Sequence, residues 1–214
     1  MQHPFILDHQ SKIPLTKGSK LHINEYLLIL QPHEDLYNKI MDIKYSFADK
    51  YDCSLARYTK PHITLINFIQ WEMQETKLIN RLKNIIENLT PFSVKIDGFG
   101  SFPTHTIYFN IQTKNDIVEM VKSLRPIQSL MTLSKKNKPH FITEPHLTLA
   151  RKLQPWQYEK GWLEYSNTNF VASFMVNKVV LLKREVETKK YFIAASFLLE
   201  SKASTELTQA SLFT

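Results

Sequence analysis

The pentapeptide Pro-His-apolar-Thr-Leu occurs twice in this chain, as Pro61-His62-Ile63-Thr64-Leu65 and as Pro145-His146-Leu147-Thr148-Leu149. One His-x-Thr match means little in a chain with 8 histidines. Two copies sharing the leading Pro and the trailing Leu are expected by chance in fewer than about 0.01 of such chains. An imidazole titrates near pH 6.5 or so, so one ring can be neutral and a second protonated near neutrality. Such a pair takes a proton from an attacking hydroxyl and gives one to a leaving oxygen. Threonine hydroxyls donate hydrogen bonds to the non-bridging oxygens of a phosphate, where negative charge builds. The residue types therefore fit acid/base chemistry on a phosphodiester.

Two other readings compete for the same residues. Strand histidines can be purely structural, but matched pentapeptides argue against that here. A zinc site wants three or four ligands, commonly with a closely spaced pair. His140, Glu144 and His146 are the nearest approach, and no His-x3-His or Cys-x2-Cys pair is present.

The elements that must position these groups follow from periodicity. On a strand, residues i and i+2 share a face. His62 then projects with Thr64, and His146 with Thr148, while Ile63, Leu65, Leu147 and Leu149 point into a core. Proline is tolerated as the first residue of a strand, so Pro61 opens one running to Phe68. The second motif strand runs from about His146 to Lys152. Further strands are expected at 25–31, 92–102, 105–112, 170–183 and 190–199. Helical spacing marks 34–50, where Leu36, Ile40, Ile43 and Phe47 share a face, and also 72–88, 115–133 and 154–165. Pro126 is expected to kink or end the third of these helices.

The order of elements suggests an approximate internal duplication. The expected fold is α+β and bilobal: two related lobes, each with a mainly antiparallel sheet, flanking helices and one motif strand, facing each other across a pseudo-two-fold central cleft. Residues 1–22 read as an N-terminal extension, 23–200 as a single bilobal domain and 201–214 as a polar tail.

With both motifs in place, the chain resembles the two-histidine (2H) phosphoesterase superfamily, and within it the bacterial 2'-5' RNA ligase / cyclic phosphodiesterase family. The segment Gly98-Phe99-Gly100-Ser101-Phe102-Pro103 is part of the likeness, which spans about residues 25–199. It implies catalytic roles for His62, Thr64, His146 and Thr148, a central cleft, no metal or other cofactor, and an RNA or nucleotide phosphoester as substrate. The alternative is an RNA-binding module of the same fold with little turnover.

Further substrate contacts are candidates only. Lys60 shares strand parity with His62. Arg151 has the wrong parity relative to His146 unless the strand bulges. Phe102 could stack on a base, as aromatic platforms do, or be a core ring. Tyr58 precedes His62 by four residues, and Arg184 sits at a strand end.

Composition agrees with this reading without deciding it. A formal charge of +7 and a pI of about 9.3 favour anionic partners, and the one dense basic run is Ser134-Lys135-Lys136-Asn137-Lys138. GxGxxG and P-loop patterns are absent, which disfavours those routes to nucleotides. No apolar run reaches the roughly 20 residues of a membrane span, and the N-terminus carries no leader pattern. The one cysteine, Cys53, excludes an internal disulfide and fits a reducing cytoplasm. No obligate protein partner is expected.

Overall fold

The computed structural model describes residues 22–188 and 190–201. His22 and Ser201 apart, the expected N-terminal extension and polar tail lie outside the described residues.

Among the described residues, nine strands form one antiparallel sheet. They are β1 (Ile23–Leu30), β2 (Ile63–Trp71), β3 (Phe92–Phe102), β4 (Thr106–Ile111), β5 (His140–Phe141), β6 (His146–Arg151), β7 (Val171–Val176), β8 (Lys178–Glu185) and β9 (Phe192–Leu198). Their order is β7-β3-β4-β6-β2-β1-β8-β9, with β5 also paired to β2. The helices are α1 (Glu34–Lys50), α2 (Ser54–Tyr58), α3 (Glu75–Ile86), α4 (Lys114–Ser123), α5 (Gln128–Met131) and α6 (Pro155–Tyr165).

The sheet is two halves that meet at a narrow waist. β2 and β6 pair only through Ile63 opposite Leu147. One half holds β5, β2, β1, β8 and β9, with α3, α4 and α5 against it; the other holds β7, β3, β4 and β6, with α1, α2 and α6. Each half thus has one motif strand and its own helices, as expected.

The halves are not consecutive stretches of chain. α1 follows β1 yet packs on β6, and α4 follows β4 yet packs on β2. The β3–β4 hairpin joins the second motif strand through β4, and the β8–β9 hairpin joins β1, the neighbour of the first, through β8. The single strand expected over 170–183 is therefore two. β7 pairs with β3 and β8 with β1, and the chain passes from one half to the other at Asn177. The helix expected over 115–133 is also broken: α4 ends at Ser123, and a 3-10 turn at Arg125–Ile127, with Pro126 inside it, leads into α5. Proline has no N–H for the helical ladder, which accounts for the break.

Hydrophobic burial fixes these pairings. Alternation along β2 and β6 buries Ile63, Leu65, Leu147 and Leu149 completely. Stacked Tyr26 and Phe68 fill the first half. The rings of Phe47, Phe99, Phe109, Tyr165 and Phe170 fill the second, with neighbouring centroids 4.9–6.1 Å apart, in the range that favours tilted and edge-on aromatic contacts.

Candidate active site

The two pentapeptides lie side by side at the waist. In an antiparallel pair the residues flanking a matched position face each other in crossed order. Ile63 opposite Leu147 therefore sets His62 beside Thr148 and Thr64 beside His146. The two His and two Thr are half-buried and share the face opposite the buried leucines and isoleucine. Each imidazole thus has the other motif's hydroxyl next to it. Neither threonine hydroxyl has a hydrogen-bond partner among the described residues.

Both imidazoles are anchored in the same way. His62 Nδ1 lies 2.7 Å from the Lys60 carbonyl oxygen, and His146 Nδ1 lies 2.9 Å from that of Glu144. A carbonyl oxygen only accepts, so Nδ1–H donates in both rings. The neutral ring then leaves Nε2 as a bare acceptor, and the protonated ring presents Nε2–H. The leading prolines have a part in this. Proline restricts the residue before it to extended conformations, which fixes the direction of the Lys60 and Glu144 carbonyls.

The electrostatic settings differ. Burial lowers the proton affinity of His62, and the cations Lys44 and Arg151 and the neighbouring His146 lower it further; the Lys60 carbonyl opposes them. Burial also lowers that of His146, but here the Glu144 carbonyl and carboxylate raise it and only Lys114 adds to the lowering. Of the two rings, only His146 has a carboxylate among the groups that favour its protonated form.

A bulge completes the site. Tyr108 pairs with Thr148 and Ile107 with Ala150, so Leu149 has no partner on β4. The extra residue flips the parity beyond it. Arg151 consequently pairs with Thr106 and shares the face of Tyr108 and Thr148. It is exposed and makes no hydrogen bond or ion pair among the described residues.

An aromatic wall backs His146. Phe102 meets its ring edge-on at 4.9 Å, Tyr108 lies at 5.2 Å, and the two aromatics are 4.8 Å apart. Tyr108 can lie there because its β3 partner is Gly100. A Cβ at residue 100 would fall 2.5 Å from the Tyr108 ring.

Of the residues singled out in the sequence, the fold gathers His62, Thr64, His146, Thr148, Phe102 and Arg151. Lys60 contributes its carbonyl, while its side chain is exposed. Tyr58 ends α2 and is 79% exposed. Arg184 is employed elsewhere: its Nε donates to Glu25 at 2.7 Å, its Nη1 to the Thr188 carbonyl at 2.9 Å, and its guanidinium sits over the Tyr191 ring. Those bonds engage the side chain that was a candidate substrate contact. Among the described residues no three His, Cys, Asp or Glu side chains are grouped as a metal would require, and no helix is long and apolar enough to cross a membrane.

Three contributors were not singled out. Tyr108 was readable from its place opposite Gly100 in the hairpin. Glu144 enters the sequence reading only as a metal-ligand candidate, whereas its carbonyl anchors His146 and its carboxylate pairs with Lys114. Lys44 is fully buried, with Nζ donating to the carbonyls of Thr148 at 2.9 Å and Leu149 at 2.6 Å. Its signal was a lysine on the apolar face of α1, four residues after Ile40 and three before Phe47.

The profile of the 2'-5' RNA ligase superfamily matches residues 32–188, a span that includes both pentapeptides. The chain belongs to that superfamily, a group of 2H phosphoesterases. Superfamily relatives agree. A Geobacillus kaustophilus protein named as a phosphoesterase is 31% identical over 122 residues, 56% of this chain and 67% of its own. A Bacillus licheniformis protein named likewise is 28% identical over 137 residues, 60% of this chain and 72% of its own. Among solved structures, TT0787 of Thermus thermophilus superposes with a TM-score of 0.60 at 16% identity, over 82% of this chain and 98% of that one. LigT of E. coli superposes with a TM-score of 0.54 at 13% identity, over 83% and 98%. At such identities these structures establish the shared fold.

Proposed function

We propose that this protein is a metal-independent phosphoesterase acting on RNA or nucleotide 2',3'-cyclic phosphates or 2'-5' phosphodiester linkages. The observation that carries the proposal is the crossed His–Thr arrangement, in which two imidazoles with identical Nδ1 anchors flank two unpartnered hydroxyls. Superfamily membership supports the phosphoester class. The E. coli LigT structures are of complexes with 3'-AMP, ATP and phosphate, which supports a nucleotide phosphate as ligand.

In hydrolysis of a cyclic phosphate, neutral His62 accepts a proton from water at Nε2 as the new P–O bond forms. The ring P–O bond breaks, and protonated His146 gives its Nε2 proton to the departing ribose oxygen. The product is a phosphomonoester, and the two histidines have exchanged protonation states, which solvent resets. Thr64 and Thr148 hydroxyls donate to the non-bridging oxygens, and Arg151 adds a cation on the same face. Attack by a 5'-hydroxyl instead of water makes the reaction a ligation that needs no ATP.

Turnover of cyclic-phosphate nucleotides and 2'-5' dinucleotides in EDTA tests the proposal. Absence of turnover by folded protein on all of them refutes it. The other reading, an RNA-binding module, is favoured by the basic charge alone. It predicts equal RNA affinity and no turnover for wild type and for a variant lacking both histidines.

A further inference from the structure

The two motif strands carry the same bulge, one residue past the threonine, but the bulges are held by different means. In β2, Thr64 pairs with Ile29 and Ile66 with Leu28, leaving Leu65 unpaired. Its carbonyl accepts the Ile142 N–H at 2.9 Å, from the chain just after β5. In β6 the unpaired residue is Leu149. Among the described residues no strand corresponding to β5 lies there, and α2 packs against β6 instead. The donor is Lys44, whose ammonium reaches the Leu149 carbonyl at 2.6 Å and the Thr148 carbonyl at 2.9 Å.

We propose that Lys44 is a positioning residue for the second motif. By holding these two carbonyls it sets the bulge that aims Thr148 at the phosphate and turns Arg151 onto the same face. The inference rests on the phosphoesterase reading of the site and gives a function to a charge that folding alone would avoid.

The lysine is fully buried beside the Leu36–Ile40–Phe47 stripe of α1. Burial, reinforced by the Arg151 cation, pushes its proton affinity down to about 7. A charge kept where charge is disfavoured opposes folding, and apolar replacements of such groups are often tolerated or stabilising. Carbonyls do need partners, but the first motif obtains one from a backbone N–H. The lysine adds a rigid link from α1 to the two residues on either side of the parity change.

The test is a set of paired substitutions read in kcat/KM on a 2',3'-cyclic nucleotide, with folding checked by thermal melting. Alone, Lys44→Met is expected to lower kcat/KM about tenfold or more, and Thr148→Ala about 100-fold, the scale of losing one donor to the developing charge. If Lys44 acts through Thr148 and Arg151, adding Lys44→Met to the Thr148→Ala/Arg151→Ala variant has little further effect. Added to Thr64→Ala, on the strand Lys44 does not touch, it should multiply in full. Lys44→Arg, which keeps charge and donors, is expected to restore most of the loss. Multiplication in both backgrounds, or an unchanged kcat/KM for Lys44→Met, overturns the inference. Should Lys44→Met fail to fold, Lys44→Gln takes its place in the same comparison. A folded wild type without turnover refutes the phosphoesterase reading. Lys44 is then judged by the same variants' affinity for inorganic phosphate, and wild type that binds no phosphate overturns both.

Discussion

Gly100→Ala probes how the aromatic wall is built. The added Cβ would fall 2.5, 2.6 and 2.8 Å from Cε2, Cζ and the hydroxyl of Tyr108. Ordinary carbon contacts are about 3.5–4.0 Å, so the ring must move by about 1 Å. It is hemmed in by Phe102 and His146, with centroids 4.8 and 5.2 Å away. Overpacking of this kind costs about 1–3 kcal/mol. For a chain of this size that lowers Tm by about 2–12 °C. Because Tyr108 moves against His146, kcat/KM should fall as well, about tenfold for each 1.4 kcal/mol or so of lost transition-state stabilisation. Thermal melting and steady-state kinetics of the single variant give the two losses. The decisive comparison uses Tyr108→Ala, where the obstructing ring is gone. There Gly100→Ala should be neutral or stabilise by up to about 1 kcal/mol, through the unfolded chain. A penalty of the same size in both backgrounds, or no penalty in wild type, refutes the packing argument.

Other expectations concern charge. Glu144→Gln removes a carboxylate that raises the proton affinity of His146 and frees Lys114, which lowers it; the alkaline limb of kcat/KM should move to lower pH, measured across a buffer series. Arg151→Ala removes a cation that depresses His62. The acid limb should move to higher pH and kcat/KM should drop about 10- to 100-fold, the scale of a charge-assisted hydrogen bond to phosphate. Protein stability should depend on both rings. Each histidine binds its proton more weakly folded than unfolded, so the unfolded chain gains protons first as pH falls. Unfolding free energy should therefore decline from about pH 6.5 downward through the lowered folded values. Urea titrations of wild type and the His62→Gln/His146→Gln variant should show a shallower decline in the variant.

Much of the site was legible because strand parity is a local rule. The alternation of His62, Ile63, Thr64 and Leu65, and its copy at 146–149, specified which side chains face the core, and burial agrees residue by residue. Parity also flagged the exception. Arg151 belonged on the far face unless β6 bulged, and the bulge at Leu149 brings it round. The exchange of hairpins between halves was not legible, since adjacency in sequence does not reveal which strand edge a hairpin joins. The joined reading of 170–183 failed for the same reason: its apolar run is continuous although its two parts pair in opposite halves. Arg184 could be numbered at a strand end, but its partner Glu25 lies 159 residues away in the chain. Lys44 was hidden because a lysine on a helix usually reaches solvent; only the packing of α1 on β6 makes its position interior.

In the proposed mechanism two histidines, working as a pair without metal, turn over a phosphoester. Its most direct test is hydrolysis of a 2',3'-cyclic nucleotide in EDTA by wild type, His62→Gln and His146→Gln. Wild type should turn it over, and each variant should lose about 100-fold or more. Melting temperatures should stay close to wild type, because each ring is half-buried and bonded only to a neighbouring carbonyl. Turnover abolished by EDTA, or either single variant keeping most of its activity, would contradict it.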